Sequence, residues 1–134
     1  MVIVDASVAY KWWDKKEPFS EEARIVLDNH LEHKNHILAP RLLLYELANA
    51  WATKSKITSN KVKSNLRDLE SLGLDWQETA FDLINKSAIF SRKYKVSVYD
   101  AVYAVLAQDK GCVLITADSK FVDQVNLPFV KKLG

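Results

Sequence analysis

Short apolar runs rich in β-branched residues recur along the chain and predict the strands of a buried sheet. Met1–Val4 and Cys112–Thr116 are almost continuously apolar, which is typical of strands covered on both faces. Ile37–Ala39, just before Pro40, has the same character. The two weakest candidates are a last strand at Leu127–Val130 and a very short edge strand at Gly73–Trp76.

Between these runs, apolar residues recur at the three- and four-residue spacing of amphipathic helices. The pattern is strongest between Val98 and Leu106, and Gly111 is suited to end that helix. A helix is predicted after Ser20, a plausible N-cap, and another after Pro40. Residues 59–72 and 79–93 predict a helical hairpin.

Strands that alternate with helices predict an α/β sandwich built around a parallel sheet. The chain has 134 residues, which is a common length for one domain, so we expect a single domain over residues 1–134. No repeat or low-complexity segment interrupts it. Only Lys131–Gly134 is expected to fray.

The composition is that of an ordinary folded protein, with 49% hydrophobic and 27% charged residues. The one cysteine, Cys112, has no partner for an internal disulfide, and the first residues do not resemble a secretory signal. No apolar stretch is long enough to cross a bilayer. We therefore expect a cytoplasmic protein with no membrane association.

The formal net charge of +2 is too small to attract nucleic acid over the whole surface. A polyanion would need a local basic patch. The cations expected near the ligand-binding edge of the sheet, unless they are merely solvated, are Lys11, Lys15, Lys16, Arg41, Lys54 and Lys56.

Four acidic residues are placed for the edge of the sheet where parallel strands end, which is where such folds bind ligands. Asp5 ends the first strand, and Asp118 follows the strand that ends at Thr116. Glu46 and Asp100 interrupt helices that are otherwise apolar. We therefore expect these four carboxylates to converge.

An ionised carboxylate in apolar surroundings costs several kcal/mol unless it is paired or bound to a cation. No basic residue lies one helical turn from Glu46 or Asp100. A hard divalent cation, Mg²⁺ or Mn²⁺, would satisfy them because such ions prefer oxygen ligands. For any one of these acids alone, a helix cap or an ion pair is the simpler interpretation.

Four motifs, in this order, resemble those of PIN-domain ribonucleases, in particular VapC-type toxins of toxin–antitoxin pairs. They are Val-Asp-Ala-Ser at residues 4–7, the Pro40–Ala48 segment with Glu46, Tyr99-Asp100-Ala101, and Thr116–Phe121. Each motif is short and unspecific by itself, but the resemblance covers nearly the whole chain.

The resemblance implies a three-layer α/β/α sandwich with a mainly parallel sheet. It also implies a metal-dependent endoribonuclease that uses one or two Mg²⁺ or Mn²⁺ ions to cleave RNA. The family's metal-binding and catalytic acids correspond here to Asp5, Glu46, Asp100 and Asp118. A homodimer and a VapB-like antitoxin partner are implied as well.

Two hydroxyls and one lysine lie next to these acids. Ser7 and Thr116 would each fix a carboxylate or a metal-bound water, and their alternative role is ordinary turn chemistry. Some relatives carry a further acid two residues after the last one, where this chain has Lys120. That lysine would either reduce binding of a second metal or contact phosphate.

The remaining candidate residues have simpler interpretations. His30, His33 and His36 are expected at a solvated helix end and not in a metal site, because their spacing drifts around a helix. Cys112 is expected to be a small buried apolar residue. The aromatic residues Tyr10, Trp12 and Trp13 are expected to pack in the core or a dimer contact, with base stacking as the alternative.

Other functions are compatible with parts of the pattern. A PIN fold without catalysis, serving as an RNA-binding or scaffold domain, is the main alternative. A receiver-like signalling module would need paired acids after the first strand, but Asp5 is unpaired. A phosphatase of the haloacid dehalogenase type would need an acid at the position of Ser7.

Overall fold

A computed structural model describes the whole chain, residues 1–134, and its centre is a five-stranded sheet in which every pairing is parallel. The strands are β1 (Val2–Val4), β2 (Ile37–Pro40), β3 (Asp75–Gln77), β4 (Val113–Thr116) and β5 (Val130–Lys132). Their order in the sheet is β3-β2-β1-β4-β5. With helices on the two faces, the architecture is the predicted α/β/α sandwich.

Seven α-helices connect and cover the strands. They are α1 (Ala6–Ala9), α2 (Ser20–Leu31), α3 (Leu42–Asn49), α4 (Ser59–Ser71), α5 (Phe81–Tyr94), α6 (Val98–Lys110) and α7 (Ser119–Val125). A 3₁₀ turn, Tyr10–Trp13, extends α1, and a π-helical segment, Ala50–Lys54, extends α3. No helix of the chain is both long and apolar enough to cross a membrane.

The core lies against the central strands. All residues of β1 and β2 are buried, as expected for strands covered on both faces. Helix α6 contributes a continuous buried stretch, Ala101–Ala107, and packs against β1, β2 and β4. Helix α5 covers α6 on its other side, and Asp100 lies in the first turn of α6.

The two edge strands differ from the predictions. The last strand is Val130–Lys132 and not Leu127–Val130, and the chain end does not fray. The reason is that β5 pairs with β4, the Leu133 amide donates to the Thr116 carbonyl at 2.8 Å, and the Leu133 side chain is buried. The short edge strand lies at Asp75–Gln77, about two residues later than predicted.

Two predicted helix ends had different outcomes. Gly111 does end α6, in the left-handed conformation with φ 65°. Ser20 is not the N-cap of α2, because Phe19 takes that position and the Ser20 hydroxyl donates to the Lys15 carbonyl at 3.0 Å. The hydroxyl therefore stabilises the preceding turn and not the helix itself.

Candidate functional site

Asp5 ends β1 and is buried, with an exposed fraction of 8%. Its Oδ1 accepts a hydrogen bond from the Ser7 hydroxyl and its Oδ2 accepts one from the Thr116 hydroxyl, both at 2.5 Å. Oδ1 also accepts from the Val8 amide at 3.3 Å, so Asp5 is the N-cap of α1. The carboxylate is therefore held in one orientation by donors from two strand ends.

The same two hydroxyls join the ends of β1 and β4. Ser7 Oγ accepts from the Ala117 amide at 2.9 Å, and Thr116 Oγ1 accepts from the Asp118 amide at 3.1 Å. This network ties the turn that carries Asp118 to the turn that carries Asp5. The contacts match the geometry expected for Ser7 and Thr116, whose effect on a bound metal remains a prediction.

Burial raises the pKa of Asp5 to about 6. The hydrogen bonds from Ser7, Thr116 and Val8 oppose this shift because they stabilise the charged form, and the charge of Asp100 adds to it. The desolvation of the carboxylate is therefore only partly offset by its donors.

Glu46 lies in α3 and accepts a 2.5 Å hydrogen bond from the hydroxyl of Tyr103, a residue of α6 that is almost fully buried. Burial raises the pKa of Glu46, the Tyr103 hydrogen bond lowers it, Asp100 raises it and Lys54 lowers it. Tyr103 was missed at the sequence level. Its position three residues after Asp100, on an apolar helix face, was the only signal, and a core tyrosine is equally consistent with it.

Asp100 is the electrostatic centre of the four acids. Burial raises its pKa, the side chain of Ser97 lowers it, and the charge of Asp118 raises it. Asp100 in turn raises the pKa of both Asp5 and Glu46. Asp118 is the exposed member, and its Oδ1 caps α7 by accepting from the Phe121 amide at 3.1 Å.

The four acids share one edge of the sheet, but no three His, Cys, Asp or Glu side chains anywhere in the chain are close enough together to hold a metal ion. The chemistry of the donors nevertheless fits a hard divalent cation, because they are oxygens whose charges raise one another's pKa. None of the four is in an ion pair with a lysine or arginine. Only side-chain movement would bring them to ligand distance.

Two depressions flank the acids. One, of about 410 Å³, is lined by Glu46 and Ser7 together with Lys11 and Lys54. The other, of about 260 Å³, is lined by two of the acids, Asp100 and Asp118, and by two further lysines, Lys95 and Lys120. A larger cavity of about 650 Å³ between α5 and α6 contains none of the four acids.

The histidine prediction was wrong for His30, which is buried. Its Nδ1 accepts from the Ile37 amide at 3.0 Å, so Nε2 carries the proton that is donated to the Leu72 carbonyl at 3.0 Å. The ring thereby joins the end of α2 to the start of β2 and the end of α4. His33 and His36 are exposed, and no metal-binding group forms here.

Trp12 and Trp13 pack internally, as predicted, whereas Tyr10 is half-buried and lines the 410 Å³ depression beside Glu46. Trp12 is buried and donates its indole N–H to the Ala23 carbonyl at 2.9 Å. Trp13 packs edge-to-face on Trp51 at 5.0 Å between ring centroids, and its indole reaches Asp68. The prediction of a buried Cys112 was wrong, since this residue precedes β4 and is only half-buried, like Val113 and Ile115 within the strand.

The six predicted basic residues fall into three groups. Lys11 and Lys54 line the 410 Å³ depression, although Lys11 is buried along most of its length. Arg41 is paired with Glu78 at 3.1 Å. Lys15, Lys16 and Lys56 are exposed and line neither of the two depressions.

Comparison with known proteins places this architecture in a family. A family model described as the PIN domain matches residues 2–126. No curated protein matches the chain.

Three solved structures illustrate the shared fold. VapBC2 from Rickettsia felis, bound to a DNA fragment from their promoter, is 17% identical over all of both chains, with a TM-score of 0.75. PAE2754 from Pyrobaculum aerophilum is 21% identical over 98% of this chain and 83% of that chain, with a TM-score of 0.72. VapC20 from Mycobacterium tuberculosis, a sarcin-ricin loop cleaving toxin, is 12% identical over 92% and 94%, with a TM-score of 0.70.

Proposed function

The chain belongs to the PIN-domain family, and from this we propose that it is a metal-dependent endoribonuclease and the toxin of a toxin–antitoxin pair. The observation that carries the proposal is the position of Asp100, whose charge acts on Asp5 and Glu46 and is itself affected by Asp118. None of these four carboxylates is in an ion pair, and such a cluster of acids is stabilised by a divalent cation.

Asp5, Glu46, Asp100 and Asp118 would hold the metal, Mg²⁺ or Mn²⁺. When bound, the ion would neutralise charge on the phosphodiester and lower the pKa of an attacking water. Asp5 is kept in orientation by Ser7 and Thr116, and Glu46 by Tyr103. These contacts limit the movement needed to assemble the site around RNA.

RNA cleavage by the purified protein tests this function. We expect cleavage with Mg²⁺ or Mn²⁺, none in excess EDTA, and none by Asp5→Asn or Asp100→Asn, each with an unchanged circular dichroism spectrum. His33→Ala, an exposed residue away from the acids, should cleave like the wild type. Full cleavage in EDTA, or by a clean preparation of Asp100→Asn, would contradict the assignment.

A catalytically silent PIN domain that binds RNA is the second candidate. One observation favours it: no three of the acids are close enough together to hold a metal ion. The cleavage assay separates the two functions, because a silent domain would bind RNA without cutting it whether or not metal is added.

The partners follow from the same family membership. Structures of similar fold include a toxin–antitoxin complex from Klebsiella pneumoniae and the Rickettsia VapBC2 complex, which supports a VapB-like antitoxin. We expect an antitoxin segment to cover the acids and to present an arginine or lysine to them. Co-purification with the product of a neighbouring gene, together with loss of RNA cleavage in the complex, would test this.

We also expect a homodimer. The apolar side chains exposed on α5, namely Phe81, Ile84 and Ile89, are a surface that a second copy could cover. Light scattering over a range of concentrations should give twice the chain mass. A monomer at every accessible concentration would contradict the dimer but not the nuclease.

A further inference from the structure

The depression beside Asp100 and Asp118 contains two lysines that come from different elements. Lys95 follows the end of α5 and Lys120 lies in the first turn of α7, and both line the same 260 Å³ space. The sequence left two roles open for Lys120, reduced binding of a second metal or contact with phosphate, and it gave no reason to single out Lys95. The tertiary structure brings both to the acidic site.

Lys95 occupies a backbone position that favours glycine. Its φ of 57° and ψ of 47° are left-handed, a conformation that costs a residue with a Cβ free energy that glycine does not lose. Gly73 and Gly111 have the same conformation just after α4 and α6. The corresponding position after α5 is instead Lys95, which has a long cationic side chain and lines the 260 Å³ depression.

Neither lysine is neutralised within the chain. Two carboxylates line the depression with them, yet no ion pair in the structure involves Lys95 or Lys120, and both residues are exposed. Because neither ammonium group is in an ion pair, both lysines of this depression are available to an anion that enters it.

We propose that Lys95 and Lys120 bind a backbone phosphate of the RNA strand next to the phosphate that is cleaved. The inference rests on the proposed nuclease function. Lys54 lines the depression on the Glu46 side of the acids, so an RNA strand that crosses Asp100 meets a cation on each side. The acidic centre would otherwise repel the strand, and these lysines offset that repulsion where the strand enters and leaves.

The test is RNA binding in EDTA, where metal-dependent cleavage is blocked, by anisotropy of a labelled single-stranded RNA at several KCl concentrations. Lys95→Gly combined with Lys120→Ala should weaken binding about tenfold. It should also reduce the slope of log affinity against log salt by about 0.7 for each phosphate contact that is lost. Lys120→Arg should bind like the wild type.

The matched control is Lys61→Ala combined with Lys63→Ala, which removes the same charge from exposed positions of α4 that line neither depression. Its binding should remain close to that of the wild type. The melting temperature of Lys95→Gly should be unchanged or higher, because glycine suits that backbone. A lower melting temperature would mean that the lysine is structural.

Two outcomes would overturn the proposal in distinguishable ways. If the wild type binds RNA and the Lys95/Lys120 double variant binds with equal affinity and equal salt dependence, the phosphate site is wrong and the nuclease remains. If both double variants lose binding equally, the attraction is a property of net charge and not of this depression. If the wild type neither binds nor cleaves RNA, the proposed function fails, and this site fails with it.

Discussion

The hydroxyl of Tyr103, buried in α6, donates a hydrogen bond to Glu46 Oε1 in α3 at a distance of 2.5 Å. This contact fixes the one candidate ligand that comes from the middle of a helix and not from a strand end. Tyr103 is almost fully buried and Glu46 is half-buried, which favours the neutral form of each and strengthens their mutual hydrogen bond.

Tyr103→Phe should destabilise the protein by about 1 to 2 kcal/mol, because the ring is kept while the half-buried carboxylate loses its donor. The variant should also bind Mn²⁺ more weakly, since Glu46 is no longer held in place. Urea denaturation and a Mn²⁺ titration monitored by electron paramagnetic resonance measure the two effects. Tyr45→Phe is the control because that side chain is exposed next to Glu46, and it should change stability by less than about 0.5 kcal/mol. Equal stability of the two variants would contradict the assigned role.

The stability of the metal-free protein should increase as the pH falls from 7 toward 4. The pKa of Asp5 is about 6 in the folded chain and 3.8 for an ordinary aspartate, so between these values the folded state binds the extra proton. The free energy of unfolding therefore falls as the pH rises through this window and levels off above it. A shift of this size corresponds to a few kcal/mol, about 3 at most. Urea titrations at several pH values in EDTA measure it.

The raised pKa values of Glu46 and Asp100 act in the same direction. Asp5→Asn should remove a large part of the pH dependence, because its amide does not titrate. A stability that rose steadily from pH 4 to pH 7 in the wild type would show that the acids are stabilised in the fold and not strained by it.

Asp100→Asn should raise the melting temperature of the metal-free protein by a few degrees and remove most of the stabilisation by Mg²⁺. Neutralising the central charge relieves repulsion worth on the order of 1 kcal/mol, and a ligand that binds only the folded state stabilises it by mass action. Thermal melts with EDTA or Mg²⁺ measure both effects. The control is Asp123→Asn, an exposed aspartate of α7 without an ion pair. If Asp100→Asn melts lower in EDTA and gains as much from Mg²⁺ as the wild type, the four acids are not one site.

His30→Ala should destabilise the protein by about 3 kcal/mol, since it leaves a cavity and removes the acceptor for the Ile37 amide and the donor to the Leu72 carbonyl. His36→Ala, in an exposed position beside it, should change stability by less than about 0.5 kcal/mol. Chemical denaturation of both variants compares them. Equal effects would mean that the two hydrogen bonds of the His30 ring do not stabilise the fold.

Local patterns were sufficient for the centre of the fold. The strands β1 and β2 are buried on both faces, so every position in them is apolar. A short, continuously apolar run such as Val2–Val4 is typical of a buried strand. Helix α6 was equally clear, because its apolar repeat and the glycine after it agree. The edge strands were placed about two residues off, since a half-exposed strand such as β3 carries little hydrophobic signal.

The four acids could be singled out from the sequence because a carboxylate in an apolar segment, or at the end of a buried strand, is costly without a partner. The sequence alone thus determined the fold class and the residue types of the site.

The side chains that contact these acids were decided only by the tertiary structure. Tyr103 reaches Glu46 from 57 residues away, and Thr116 reaches Asp5 from 111 residues away. His30 is buried where β2 and the end of α4 close over it, and Lys95 shares a depression with Lys120 because α5 ends where α7 begins. Such contacts depend on how the helices pack across the sheet, and packing between distant segments leaves no periodic trace in the chain.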